Sequence, residues 1–181
     1  MTGRSCLLAG LLAASMLLAA RPALAQPSEA AVKAAFLPRF ARYVTWPPPA
    51  RPGVSQPFQL CVIGVDPFGR ALDQAAASQG IDGHTVNVRR LASANGAAGC
   101  HVAFVQGANG QATGQLLAGL SRLPVLTVTD ARSGAQRGIV HFSVVSGRVR
   151  FFIDDAEAAE RGLSISSRLL ALAVSVRQRR G

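Results

Sequence analysis

The chain has 181 residues, 49% of them hydrophobic and 15% charged, with 19 basic against 9 acidic side chains and a formal net charge of +10. That apolar content excludes a disordered chain, and the length suits one domain with a full core rather than two. The charge favours anionic surfaces or an acidic partner, but the arginines are scattered along the chain rather than gathered into one stripe, so a solvated basic surface is the first reading, and without aromatic interleaving no nucleic-acid partner is expected.

Residues 1–25 place Arg4 before an apolar run over residues 7–20 and end in Ala23-Leu24-Ala25. This is the pattern of a secretory signal peptide, expected to be cleaved after Ala25. Arg21 and Pro22 close the apolar run at about 14 residues, short of the roughly 20 that span hydrocarbon. The processed chain, starting at Gln26, is therefore expected in the periplasm and not to cross the membrane. Cys6 leaves with the leader, and Cys61 and Cys100 remain. An even count in an oxidising compartment makes a Cys61–Cys100 disulfide the default, with buried free thiols as the alternative.

Residues 26–57 read as an N-terminal helix and a proline-rich linker. Val32, Phe36, Phe40, Tyr43 and Val44 recur at helical spacing, with Ser28 as N-cap. Pro38 predicts a kink or break near Leu37. Trp46-Pro-Pro-Pro49 ends the helix, and the prolines that follow to Pro57 read as an exposed linker that lets the helix lie apart. Phe36, Phe40, Tyr43 and Trp46 then form an aromatic stripe, either packed in the core or serving as a partner or dimer interface.

Residues 58–181 read as an α/β domain. A strand over residues 58–64 is followed by Asp66-Pro67, read as the N-cap and first residue of a helix reaching Ser78. Gly80 to Gly83 break the chain. Strands over 85–90, 101–106 and 124–129 follow, with a helix over 111–120 between the last two. Apolar strands alternating with helices argue for a single domain with a mixed, mostly parallel sheet and helices on both faces. If the first and third strands are neighbours, Cys61 and Cys100 face one another across them. Two strands flanking Ser146-Gly147 form an antiparallel hairpin. A final helix with Ile165, Leu169, Leu172 and Val176 on one face is expected to pack across the sheet.

No catalytic set emerges. Gly64 and Gly69 lack the spacing of a phosphate loop, and His84, His101 and His141 lie on separate segments without metal-ligand spacing. Asp154 and Asp155, with Glu157 and Glu160, suit a helix N-terminus. Ser164, Ser166 and Ser167 suit a cap before the last helix. No cofactor is expected.

Three blocks resemble the YfiR-like family. They are Lys33-Ala-Ala-Phe-Leu with Phe40, Tyr43 and Trp46-Pro47; Leu60-Cys-Val-Ile-Gly64 with Asp66-Pro67-Phe68 and Cys100-His101; and Arg150-Phe151 with Gly162-Leu163-Ser164-Ile165-Ser166-Ser167. The resemblance implies an exported α/β protein given to self-association as a homodimer. It implies a non-enzymatic regulator that represses an inner-membrane signalling protein, a diguanylate cyclase or sensor kinase, by protein contact. Pro38, Arg39, Arg137 and Asp154 depart from the pattern. Two other functions stay open: a small-ligand sensor or carrier in which arginines near the strand ends hold an anion, and an exported hydrolase using the serines or acids above.

Overall fold

The computed structural model describes residues 26–179; the leader expected over residues 1–25 lies outside them. An eight-stranded sheet forms the centre, in the order β10-β8-β7-β6-β5-β2-β4-β3. Its parallel middle is β2 (Phe58–Gly64), β4 (His84–Leu91), β5 (Val102–Gln106), β6 (Leu126–Asp130) and β7 (Val140–Val145). Antiparallel pairs join β7 to β8 (Arg148–Asp154) and β4 to β3 (Gly80–Ile81). The mixed, mostly parallel sheet matches the α/β expectation.

Side chains alternate across the strands. One face carries Leu60, Val62, Phe104, Val128, Phe142 and Phe151 into the larger core, and the other carries Cys61, Ile63, Ala103 and Val105 into a smaller one. Helices α1 (Glu29–Ala41) and α2 (Arg70–Ala77) lie together over the first face. Helix α3 (Gly110–Ala118) covers the second, where Leu116 and Leu117 pack on the smaller core.

The first and third expected strands, β2 and β5, are neighbours, and Cys61 bonds Cys100 with their Cα atoms 6.0 Å apart. The bridge closes a sequence separation of 39, which contributes about 4 kcal/mol on the chain-entropy account.

Several elements differ from expectation. Helix α1 does not lie apart: Leu37, Phe40 and Ala41 are fully buried in the larger core. It also runs unbroken through Pro38, because that residue is itself buried on the packed face and tertiary contact offsets the lost hydrogen bond. Ser28 caps it through Ala31 N–H as expected. Helix α2 starts at Arg70 rather than beside Asp66. The Asp66 carboxylate instead accepts from Phe68 N–H (2.7 Å) and Gly69 N–H (3.2 Å), holding a turn ahead of the helix. Asp82-Gly83, both at positive φ, close a β3–β4 hairpin where a plain break was expected.

The last helix is also shorter than its periodicity suggests. After α4 (Asp155–Glu160), Ile165 belongs to β9 (Ser164–Ile165), which pairs with β1 (Val44–Thr45). Helix α5 is one turn, Ser167–Leu170, Leu172 is 63% exposed, and Val176 lies in β10 (Val176–Arg177), parallel to β8. Backbone pairing with the β8 edge outcompetes helix continuation, since Ile153 N–H donates to Ser175 O and Val174 N–H to Phe151 O.

The contact that seats α1 is ionic. Lys33 Nζ meets Asp130 Oδ2 at 2.9 Å, the side chains being 4% and 2% exposed. It also reaches Glu29 and lies over the Phe142 ring, 5.9 Å from its centroid. Removing Lys33 leaves the Asp130 charge buried without a counter-charge, and removing Asp130 leaves Lys33 only the exposed Glu29. Lys33→Met is expected to cost about 3–5 kcal/mol in urea unfolding, and Lys33→Met with Asp130→Leu to recover much of that loss.

Candidate functional site

The closing hairpin gathers most of the residues singled out from sequence. Ser146 and Gly147 both adopt positive φ at its tip, and β7 and β8 pair in the register Val144↔Val149, Ser143↔Arg150, Phe142↔Phe151 and His141↔Phe152. On the α1 side, Phe151 packs edge-on against Phe40 (5.1 Å between centroids) and Phe36 (6.0 Å). Phe142 completes the cluster at 5.5 Å from Phe40. Arg150 alternates onto the opposite face and is exposed.

The other signature residues clamp the end of α1. Gly162 turns the chain at φ +73 with Pro47 beside it. Leu163 is buried, Ser166 N–H donates to Tyr43 O (2.8 Å), and Ser166 Oγ caps α5 by accepting from Arg168 N–H. Ser167 opens that helix and is exposed. With Val44 opposite Ile165, the first and third blocks, far apart in sequence, meet as one two-stranded ribbon.

The aromatic stripe divides. Phe40 and Trp46 are buried at 1% and 5% exposure, Phe36 is half-buried against the same core, and Tyr43 at 37% is exposed. Core packing thus occupies three of the four residues within one chain, and Tyr43 alone keeps an open ring. A groove of about 430 Å³ lies between the N-terminal end of α1 and the hairpin tip, its apolar lining of Val32, Phe36, Val144 and Val149 bordered by Glu29 and Arg148. Val144 is 48% exposed there.

The acids and serines are held in structural contacts. Asp154 caps α4 through Glu157 N–H and binds Arg177, whereas the buried Asp155 binds Arg179 at 2.7 and 3.0 Å. Ser166 caps a helix and Ser164 lies in β9. At the C-terminal ends of β2 and β5, the place where doubly wound sheets hold ligands, the two backbones approach closely. Val65 N–H donates to Gln106 O at 2.7 Å, and a Cβ on Gly64 would stand 2.2 Å from that oxygen.

Concavity is instead found at the other end of the strands, beside the proline-rich segment. Two cavities of about 300 and 610 Å³ share Arg51 and Pro52; Trp46, Phe58 and His84 line the first, and Gln59, Arg89 and His101 the second. Gln59 N–H donates to His101 Nδ1 at 2.9 Å, which requires that nitrogen to be unprotonated. Burial, reinforced by the charge of His84, holds the His101 pKa below its ordinary value. His141, on the far face of the hairpin against Thr129 Oγ1 (2.9 Å), is held low by burial and then by Arg137.

Two of these features escaped the sequence reading. Lys33 offered a signal as the single lysine, set on the apolar side of an amphipathic helix, but its partner lies 97 residues away. The cavities had none, because they depend on how the proline-rich segment folds back over β2 and β4.

The chain is thus an α/β domain whose most recognisable residues build a scaffold rather than a reactive centre. A family model described as YfiR/HmsC-like matches residues 30–174, and the chain belongs to that family. Membership fits a periplasmic regulator, in a regulatory rather than catalytic family, and the Cys61–Cys100 bond accords with an oxidising compartment. No curated protein matches the chain. Among the described residues no helix is long and apolar enough to cross a membrane.

The two low histidine pKa values give stability a pH dependence. Below about pH 6.5 the unfolded chain takes up protons that the folded chain resists, so stability falls as pH drops through that value toward the folded pKa values. The urea midpoint is expected to be lower at pH 5.5 than at pH 7.5, and His101→Gln with His141→Asn to flatten the difference.

Proposed function

We propose that this protein is a periplasmic regulatory binding protein that represses a membrane-bound signalling enzyme, a diguanylate cyclase, by protein–protein contact and without catalysis of its own. The observation that carries this reading is the family match across residues 30–174, which takes in α1, the sheet core and the hairpin together. The groove beside the hairpin tip supports it: Val144, Val149 and Val32 offer apolar area next to a rigid aromatic cluster and Arg148, and an exposed apolar patch of this kind marks an interaction site. A second copy of the chain using the exposed Tyr43 ring gives the homodimer. The leader over residues 1–25 and its cleavage after Ala25 belong to the same reading, as does the division into residues 26–57 and 58–181.

Deleting the gene is expected to raise cyclic di-GMP, and the tagged protein to recover an inner-membrane cyclase or sensor kinase from detergent-solubilised membranes. Val144→Asp is expected to abolish that recovery while leaving the melting temperature unchanged. Unchanged cyclic di-GMP together with no signalling protein recovered would reject the reading.

A second reading, a small-ligand sensor, is favoured by the paired cavities, where Arg51 and Arg89 lack a carboxylate partner among the described residues. An anionic metabolite that raises the melting temperature of the parent, but not of Arg51→Ala, is the expected result on that reading.

A further inference from the structure

The hairpin has a second face, turned away from α1, whose chemistry is different. Val145, Arg148, Ser143, Arg150 and Phe152 alternate onto it in register, and among the described residues neither α1, α2 nor α3 packs on it. Arg137 lies over the Phe152 ring, its guanidinium carbon 5.5 Å from the centroid, which brings a third guanidinium to the same face. Arg148 and Arg150 stand one pleat apart, about 7 Å along the strand.

Opposing charge is nearly absent. Asp154 is the one carboxylate that the β8 alternation brings to this side, and Arg177 binds it at 2.6 Å. Arg137, Arg148 and Arg150 have no carboxylate partner among the described residues, a state they share with Arg51 and Arg89, and what sets them apart is that one hairpin face gathers all three. At the tip, Val145 is 42% exposed beside Arg148 and the Ser146-Gly147 turn.

We infer that this face seats the protein on an anionic phospholipid surface, with the guanidinium groups among the headgroups and Val145 at the leading edge. The juxtaposition of unpaired arginines with an apolar turn on an open, two-stranded face fits a broad, laterally mobile anionic surface. The cavity on this side, about 210 Å³ between Arg137, His141, Phe152 and Asp154, is too small to seat a protein segment and already holds a carboxylate, which fits an acidic segment poorly; Arg148 stands at the tip, where it also borders the groove on the α1 side. Each arginine held near such a surface strengthens binding by about fivefold, so three give weak, reversible, salt-sensitive attachment. The inference goes beyond repression by contact, because it needs no partner protein: it places the regulator in the plane where a membrane enzyme would be met.

Vesicle flotation tests this with the processed chain from Gln26 to Gly181, using phosphatidylcholine vesicles with and without phosphatidylglycerol. Binding is expected only with phosphatidylglycerol, and is expected to fall with added salt. Arg148→Gln with Arg150→Gln is expected to weaken it about 25-fold, and Val145→Ser to weaken it further, with far-UV circular dichroism and melting temperature unchanged. The inference is overturned if the parent fails to float with phosphatidylglycerol vesicles, if it floats equally with phosphatidylcholine alone, or if the folded double variant binds like the parent. Capture by immobilised polyglutamate without vesicle binding would assign the face to an acidic protein and equally overturn it. None of these readouts depends on a cyclase, so the repression reading stands or falls separately.

Discussion

The contact between Lys33 and Asp130 fixes the first helix to the middle of the sheet, and much else follows from it. Two nearly water-free charges stay together only while the helix keeps its height and rotation, since displacement would strand one of them in the interior. Asp130 also accepts from Arg132 N–H, and Ser133 Oγ bridges Asp130 N–H to Val105 O, so the ion pair is continuous with the end of β5. With α1 seated there, Phe36 and Phe40 meet Phe142 and Phe151. The hairpin is thereby backed along one face by rings rather than by water.

That backing gives the hairpin two chemistries from one alternation. Residues of β7 and β8 that point toward α1 are aromatic or aliphatic, and at the tip, where the helix runs out, Val144 and Val149 continue the apolar face into the groove. Residues pointing the other way run from the buried His141 through Ser143 to Val145, and from Phe152 through Arg150 to Arg148. A slip of one residue in register would exchange the two sets. The Ser146-Gly147 turn guards against it, because both residues sit at positive φ, where a two-residue turn matches strand twist.

What could be read from the sequence was local and periodic. The Ser-Gly turn, the Ser28 cap, the β2 and β5 runs and the Cys61–Cys100 bond each rest on short-range patterns or on cysteine arithmetic. The helix expected over residues 165–176 failed for the opposite reason: its apolar spacing is real, but Val176 gains more by pairing with the unpaired edge of β8 than by extending one turn of helix. Pro38 failed similarly, its local penalty outweighed by burial of the face that carries it. Lys33 and Asp130 were invisible as a pair because nothing near either residue announces the other. The aromatic stripe was legible as a stripe, but whether it packs inward depends on the sheet that receives it.

Of the residues expected to carry the family signature, Phe151 and Leu163 are buried, Ser166 is half-buried, and Arg150, Gly162 and Ser167 are exposed. Gly162 turns the chain beside Pro47, and Ser166 ties the α5 cap to Tyr43. Such positions specify how α1, the sheet and the β1–β9 ribbon are held together, and so tolerate little change whichever partner is met. Arg150 and Tyr43 are different, presenting exposed side chains on faces of this scaffold. The close approach of Gly64 to Gln106 leaves no room for a side chain at the C-terminal ends of β2 and β5, whereas the cavities beside the proline-rich segment lie at the other end of the strands. The Cys61–Cys100 bond braces the middle of the sheet and so holds these faces in fixed relation.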